Sequence, residues 1–222
     1  MKKIAENGSA IAASPIQVSI PAPNMATAVF LIRGTSPYVQ NKFSAKAKQK
    51  MIEKQKAGHT AKKGSAREAK NFEAAFKECQ HISADGYVGM PASGFRAALV
   101  SACRIVGFKM TLAKLSLFIL ADGIDAEDGT PLVKITKGTS RRVEHHVRNE
   151  SGVVDIRPRA MWDPGWEAML RIQYDADQFT LADVSNLLSR VGLQVGIGEG
   201  RADSKSSCGM GWGSFEIAKR EE

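Results

Sequence analysis

The stretch that decides the fold runs Leu181-Ala-Asp-Val-Ser-Asn-Leu-Leu-Ser-Arg-Val191, then Gly196-Ile-Gly-Glu-Gly200, Gly209-Met-Gly-Trp-Gly213 and Ser214-Phe-Glu-Ile217. Its apolar residues recur at helical spacing, which predicts a helix that Thr180 caps and whose inward face holds Leu181, Val184, Leu187, Leu188 and Val191. A glycine-rich loop and a short strand follow. The chain is therefore expected to end as helix, loop and strand.

The segments before this ending alternate between the two periodicities. Ala26 to Arg33 is predicted to be a strand, as are Tyr87–Met90, Leu115–Leu120 and Leu132–Ile135. An apolar helix from Phe95 to Val106 follows the second strand, with Ser93 placed to cap it. A later strand should bury one face, made of Trp166, Ala168, Leu170, Ile172 and Tyr174. The order predicts an α+β fold, a ferredoxin-like or RRM-like antiparallel sheet with helices on one face.

Two basic segments interrupt this order. Residues 41–79 hold eleven Lys or Arg and four Asp or Glu, a net charge of +7. We interpret residues 41–80 as an insertion with two helices, the first with an apolar face of Phe43, Ala47, Met51 and Ile52. Alternation in residues 137–163 predicts a second insertion, an extended hairpin. The expected organisation is a loose arm over residues 1–25 and one domain over residues 26–222.

The overall charge favours a polyanionic partner. The chain carries a net charge of +8 at pH 7 in 222 residues, and its apolar fraction of 43% is typical of a packed core. Cys79, Cys103 and Cys208 form no CxxC pair, so we expect neither a zinc site nor disulfides, and a cytoplasmic location. No apolar run is long enough to span a membrane.

The segment Met90-Pro-Ala-Ser-Gly-Phe-Arg-Ala-Ala-Leu99 resembles the IPGSSLRGALR type of segment in the RAMP superfamily, the RRM-like RNA-binding proteins associated with CRISPR. The glycine-rich loop resembles the loop between the last helix and last strand of that superfamily. The resemblance is closest to the repeated backbone subunit of CRISPR effector complexes, and it extends to phage proteins with the same ending. Ala92 stands where the family usually has glycine, and Trp212 and a Ser-Ser-Cys run are unusual within the loop.

Candidate binding residues come from three places. Glycine loops let amide groups approach phosphate, and the first turn of a helix is a ready anion site, although Ser93 as a cap alone is an equally open interpretation. The basic insertions supply lysine and arginine for phosphate contacts, although a solvated surface is the commoner role of such charge. The predicted nucleic-acid-binding residues are Ser93, Gly94, Arg96, Lys46, Lys50, Lys54, Lys62, Lys63, Arg141, Arg142, Arg157, Arg159, Gly196, Gly198, Arg201, Lys205, Gly209, Gly211 and Trp212.

Other aromatic, acidic and histidine residues are candidates for stacking, metal binding or catalysis. Trp162 and Trp212 are candidate stacking residues, whereas Trp166, Phe43, Phe72 and Phe76 are expected in cores. Asp122, Asp125, Glu127 and Asp128 lack EF-hand spacing and are expected to solvate a turn. Adjacent His145 and His146 should point to opposite faces of a strand. We expect no metal, no cofactor and no catalytic residue.

The sequence therefore predicts a non-catalytic protein that binds single-stranded nucleic acid, RNA before DNA, along its phosphates. The resemblance implies repeated subunits, a homo-oligomer or a subunit of a ribonucleoprotein, in a bacterial or phage-infected cell. Two alternatives stay open. The fold could serve a phage protein that binds or inhibits a host protein complex, or the chain could be a metal-independent endoribonuclease using His59.

Overall fold

The computed structural model describes residues 20–43, 45–57, 71–148, 152, 154–204 and 209–219. Residues 1–19 of the expected N-terminal arm lie outside this part of the chain. So do His59, Lys62, Lys63, Lys205 and Cys208 among the residues singled out above. Within the described residues, no helix combines the length and hydrophobicity needed to cross a membrane.

In the part of the chain that the structure describes, the main sheet is antiparallel and has seven strands. Its central strands are β1 (Met25–Gly34) and β9 (Glu167–Asp175), with β10 (Phe215–Ile217) beyond β1. On the other side of β9 lie β4 (Leu117–Leu120) and β6 (Pro131–Lys137), and β6 pairs with β3 (Gly89–Pro91) and the short β5 (Gly123–Ile124). The prediction of an α+β fold with an antiparallel sheet is confirmed.

The core forms where the sheet meets two helices, α3 (Ala92–Ile105) and α5 (Leu181–Arg190). The alternate residues predicted on β9 are all buried, as is the inward face of α3. Thr180 and Asp183 cap α5 reciprocally, as the sequence predicts for Thr180. Leu181, predicted to face inward, is 57% exposed because it begins the helix beyond the edge of the core. A π-helical turn, Val191–Val195, extends α5 toward the glycine-rich loop.

Two boundaries near α3 differ from the predictions. The helix begins at Ala92 and its cap position is Pro91, so Ser93 lies inside the first turn and makes no capping hydrogen bond. The strand predicted from Leu115 begins only at Leu117, because α4 (Met110–Ser116) occupies the preceding residues. Arg96 donates to the carbonyl oxygens of Lys114 and Leu117, which satisfies acceptors that the end of α4 leaves open.

A second antiparallel sheet contains β2 (Tyr38–Gln40), β7 (Ser140–Arg148) and β8 (Val154–Trp162). β7 and β8 pair with each other from Ser140 opposite Trp162 to Arg148 opposite Val154, which confirms the hairpin predicted within residues 137–163. Trp162 is wrong as a stacking candidate, because only 1% of it is exposed and its ring packs 5.4 Å from the ring of Tyr38. Trp166 is buried, as expected.

The first basic segment contains α1 (Ala45–Ala57) and α2 (Phe72–Glu78). The apolar face predicted for the first helix is not buried: Phe43, Met51 and Ile52 are exposed, so Phe43 is also wrong as a core residue. Phe72 and Phe76 are partly buried, and Phe76 packs against the main core. Asn71 caps α2, accepting from the amide of Ala74 at 3.0 Å.

Candidate nucleic-acid interface

A groove separates the first turn of α3 from the glycine-rich loop, residues 196–213. It consists of two cavities of about 350 and 770 Å³ that share Gly94, Ile197, Gly198 and Arg201 in their walls. Ser93 and Arg96 line the larger cavity, whereas Tyr38, Gln40 and His81 line the smaller one. The structure thus brings together the two motifs that the sequence places far apart.

The glycines of this loop lie where the chain passes very close to the backbone of neighbouring segments. Gly198 has a φ of 79°, and a Cβ there would lie 2.6 Å from the carbonyl oxygen of Val39. At Gly213, with a φ of 71°, a Cβ would collide with the carbonyl group of Ile197. Both the conformation and the space therefore require glycine. The same positive φ is found at Gly196, Gly209 and Gly211.

Backbone hydrogen bonds hold this loop on the second sheet. The amide of Glu199 donates to the carbonyl of Val39 at 3.0 Å, and the amide of Gly213 donates to the carbonyl of Pro37 at 2.7 Å. Across the loop, the amide of Met210 donates to the carbonyl of Gly200 at 2.8 Å. These bonds hold the groove wall in one conformation. Less conformational entropy is therefore lost when a ligand binds.

Asp203 ties the loop to α3. Its carboxylate accepts from the hydroxyl of Ser101 and from Nη2 of Arg104, the latter at 3.0 Å. The Ser101 hydrogen bond and the Arg104 guanidinium lower the pKa of Asp203 despite some desolvation. No pattern in the sequence singles out this pair of contacts, because Asp203 and Ser101 meet only through the tertiary fold.

Arg201 is the exposed cation in the wall that the two cavities share. Its Nη1 donates to the carbonyl of Gly198 at 3.2 Å, which keeps the guanidinium beside the shared wall of the two cavities. Lys114 and Arg104 lie farther along the larger cavity. Arg96 also lines that cavity, but its guanidinium lies 5.0 Å from the ring of Phe118 and is committed to the end of α4.

The first turn of α3 supplies the opposite wall. The first amides of a helix have no acceptor within the helix and carry its positive dipole end, so they attract anions. Ser93 and Gly94 lie in this turn, and a Cβ on Gly94 would meet nothing within 4 Å. The opening above Gly94 therefore leaves room for a ligand to approach the backbone.

The predicted hairpin arginines lie outside the walls of both cavities. Arg141 pairs with Asp163 at 3.0 Å, Arg142 with Glu73 at 3.0 Å and Arg157 with Asp155 at 3.2 Å. Arg159 is only 5% exposed and forms a bidentate pair with Glu199, so it braces the glycine-rich loop from below. Lys46, Lys50 and Lys54 belong to α1, and their side chains lie outside the described part of the structure.

Trp212 packs inside the loop. A Cβ on Gly200 would lie 2.4 Å from its ring, and the ring of His145 lies 4.8 Å from it between centroids. Burial lowers the pKa of His145, whose Nε2 is buried without a hydrogen-bond partner among the described residues. Trp212 is partly exposed, and it joins the loop to β7.

The acidic turn contains a feature that the sequence did not reveal. Asp125 is buried, which corrects the expectation that it solvates the turn. Lys42 Nζ lies 2.7 Å from its Oδ1 and His81 Nδ1 lies 2.9 Å from its Oδ2. Although His81, Asp125 and Asp128 have metal-ligating atoms close together, Lys42 already supplies a cation there. Lys42 and two backbone amides lower the pKa of Asp125 to about 2, against the effect of burial.

No family model matches the chain, and no curated protein matches its sequence.

Proposed function

We propose that the chain binds single-stranded nucleic acid, RNA before DNA, by gripping phosphates between the first turn of α3 and the glycine-rich loop. The observation that carries this proposal is the groove whose shared wall contains Gly94, Gly198 and Arg201. Helix amides and a guanidinium facing one another across a groove suit an anion, and neither reads a base.

We further propose that the fold is of the ferredoxin-like type found in the RAMP superfamily. The strand order β10, β1, β9 and then β4 or β6, with α3 and α5 on one face, supports this assignment. Residues 41–80 and 137–163 are then the basic insertions. As part of the same proposal, the chain assembles as repeated subunits, like the backbone proteins of CRISPR complexes. The hairpin arginines, which lie away from the groove, would then contact nucleic acid or a neighbouring subunit in that assembly.

The experiment is a fluorescence-anisotropy titration of the full chain with labelled single-stranded RNA over a range of salt concentrations. We expect affinity to fall steeply with salt, because phosphate contacts release counterions. Unlabelled heparin of matched charge serves as the competitor. The proposal fails if heparin displaces the RNA as well as unlabelled RNA does, because the groove would then provide nothing beyond charge.

A further inference from the structure

A buried ionic network lies beside His81, one of the residues that line the smaller cavity. The Asp125 side chain is 0% exposed and that of Lys42 is 5% exposed, and their charged atoms lie 2.7 Å apart. The amides of Glu127 and Asp128 also donate to Asp125, at 2.9 and 3.3 Å. Asp125 is thereby fixed as an anion with one oxygen, Oδ2, turned toward His81.

His81 is held on both its backbone and its ring. Its amide donates to Oε1 of Gln40 at 3.1 Å, and its carbonyl accepts from the amide of Gly89 at 3.0 Å. Its Nδ1 meets Asp125 Oδ2 at 2.9 Å. His81 lines the same cavity as Gly94 and Arg201. The imidazole therefore has one fixed orientation at the groove.

The carboxylate determines which ring nitrogen remains for a ligand. An aspartate facing Nδ1 keeps the proton on Nδ1, as second-shell carboxylates do for metal-bound and catalytic histidines. The side-chain hydrogen bond of His81 among the described residues is made by Nδ1, which leaves Nε2 for a ligand. A neutral ring presents Nε2 as an acceptor, which repels a phosphate oxygen and suits a hydroxyl donor. A ribose 2′-hydroxyl is such a donor, and it can also accept from the protonated ring.

We propose that Nε2 of His81 binds a ribose 2′-hydroxyl of the strand in the groove and so makes the protein prefer RNA to DNA. This inference rests on the proposed function, because it requires the strand to lie between α3 and the glycine-rich loop. The hydrogen bond from His81 to the ribose would add to the phosphate contacts proposed for the two walls of the groove.

The side chains around His81 favour a role in binding RNA over a role in cleaving it. Cleavage through the 2′-hydroxyl needs a second group to protonate the leaving oxygen. Among the acidic residues that line the two cavities, the Glu199 carboxylate is paired with Arg159, and Asp203 is committed to Ser101 and Arg104. Lys114 lies in the larger cavity, which His81 does not line. The Tyr38 hydroxyl is buried against Gln40, and burial raises the pKa of Tyr38.

The test compares short oligouridine and oligodeoxyuridine, which share the base and differ at the 2′ position. His81→Asn is the sharpest variant, because the asparagine amide replaces Nδ1 beside Asp125 while Nε2 is removed. His146→Asn, on the exposed side of β7, is the matched control. For the wild type, we expect about fivefold tighter binding of the RNA, the worth of about one net hydrogen bond.

His81→Asn should bind both strands with the affinity that the wild type has for DNA, and His146→Asn should retain the preference. Retained DNA affinity also reports that the variant is folded. The inference is overturned, while the proposed function stands, if His81→Asn weakens both strands equally or keeps the preference. It is also overturned if the wild type cleaves oligouridine and His81→Asn does not, since His81 would then be a catalytic base. If the wild type binds neither strand, both proposals fall.

Discussion

Gly94 and Arg201 face the same two adjoining cavities from opposite sides, one from the first turn of α3 and the other from the glycine-rich loop. Asp203, through Ser101 and Arg104, fixes the distance between these walls. The groove is therefore a property of the assembled fold, and a change in either wall should alter binding without disturbing the sheet.

Replacing Arg201 by Gln should weaken binding of single-stranded RNA and reduce its salt dependence. The side chain is exposed and donates to the carbonyl of Gly198, so the loss should be mainly electrostatic. We expect the slope of log K against log salt to fall by about 0.7, the value of one phosphate contact on a single strand. Arg190→Gln removes the same charge outside both cavity walls and should leave the slope unchanged. Equal effects of the two variants would contradict a role for the groove.

Replacing Gly198 by Ala should damage the loop far more than replacing Gly211. Both residues have positive φ, which costs a non-glycine residue about 1–2 kcal/mol. A Cβ at Gly198 would also press on the carbonyl of Val39, whereas one at Gly211 would meet nothing within 4 Å. Urea unfolding should therefore show a clearly larger loss of stability for Gly198→Ala, together with weaker RNA binding. Equal losses would mean that the loop does not rest on β2.

Replacing Asp125 by Asn should destabilise the protein at neutral pH by about 3 kcal/mol, because the buried Lys42 then keeps only the more exposed Glu127 as a counterion. The pKa of Asp125 is lowered to about 2, so its ionisation stabilises the fold above about pH 4 and the benefit is lost as the pH falls from about 4 to about 2. The difference between the wild type and Asp125→Asn should therefore shrink over that interval in urea denaturation. Glu127→Gln, which alters the more exposed partner of Lys42, is the control and should change little. A difference that stays constant with pH would contradict this network.

Replacing Arg159 by Met should reduce stability rather than phosphate binding. Arg159 is buried and its two hydrogen bonds to Glu199 hold the glycine-rich loop, so we expect a loss of about 2 kcal/mol. Thermal unfolding and the salt dependence of RNA affinity separate the two roles. A lower salt slope with unchanged stability would instead support the direct phosphate contact that the sequence predicts.

The sequence predicted most of the regular structure because periodicity reports burial directly. The alternation of β9 and the apolar stripe of α5 each match a face of the core. The predictions failed where a tertiary contact determines the backbone conformation. Residues before Leu117 form α4, and Arg96, from another helix, satisfies its last carbonyls. Trp162 has basic neighbours in sequence, but it lies under Tyr38 in space.

For the candidate site, the sequence motifs indicated both walls of the groove. They did not indicate the residues that hold these walls in place. The glycines and the turn at Ser93 are visible as local motifs, whereas Asp203 and His81 gain their roles from partners distant in the chain. Charge was also a poor guide to exposure. Arg159 and Asp125 belong to charged segments that suggest solvated surfaces, yet each is buried against one counterion. Only a tertiary structure distinguishes a paired charge from one available to a ligand.

The most direct measurement is photo-crosslinking of the wild type to single-stranded RNA that contains 4-thiouridine, followed by mass spectrometry of the crosslinked peptides. The groove predicts crosslinks in residues 92–104 and 196–213, with both reduced in Arg201→Gln and retained in Arg190→Gln. Crosslinks confined to α1 or to the β7–β8 hairpin would contradict the account, because the strand would then bypass the groove between α3 and the glycine-rich loop.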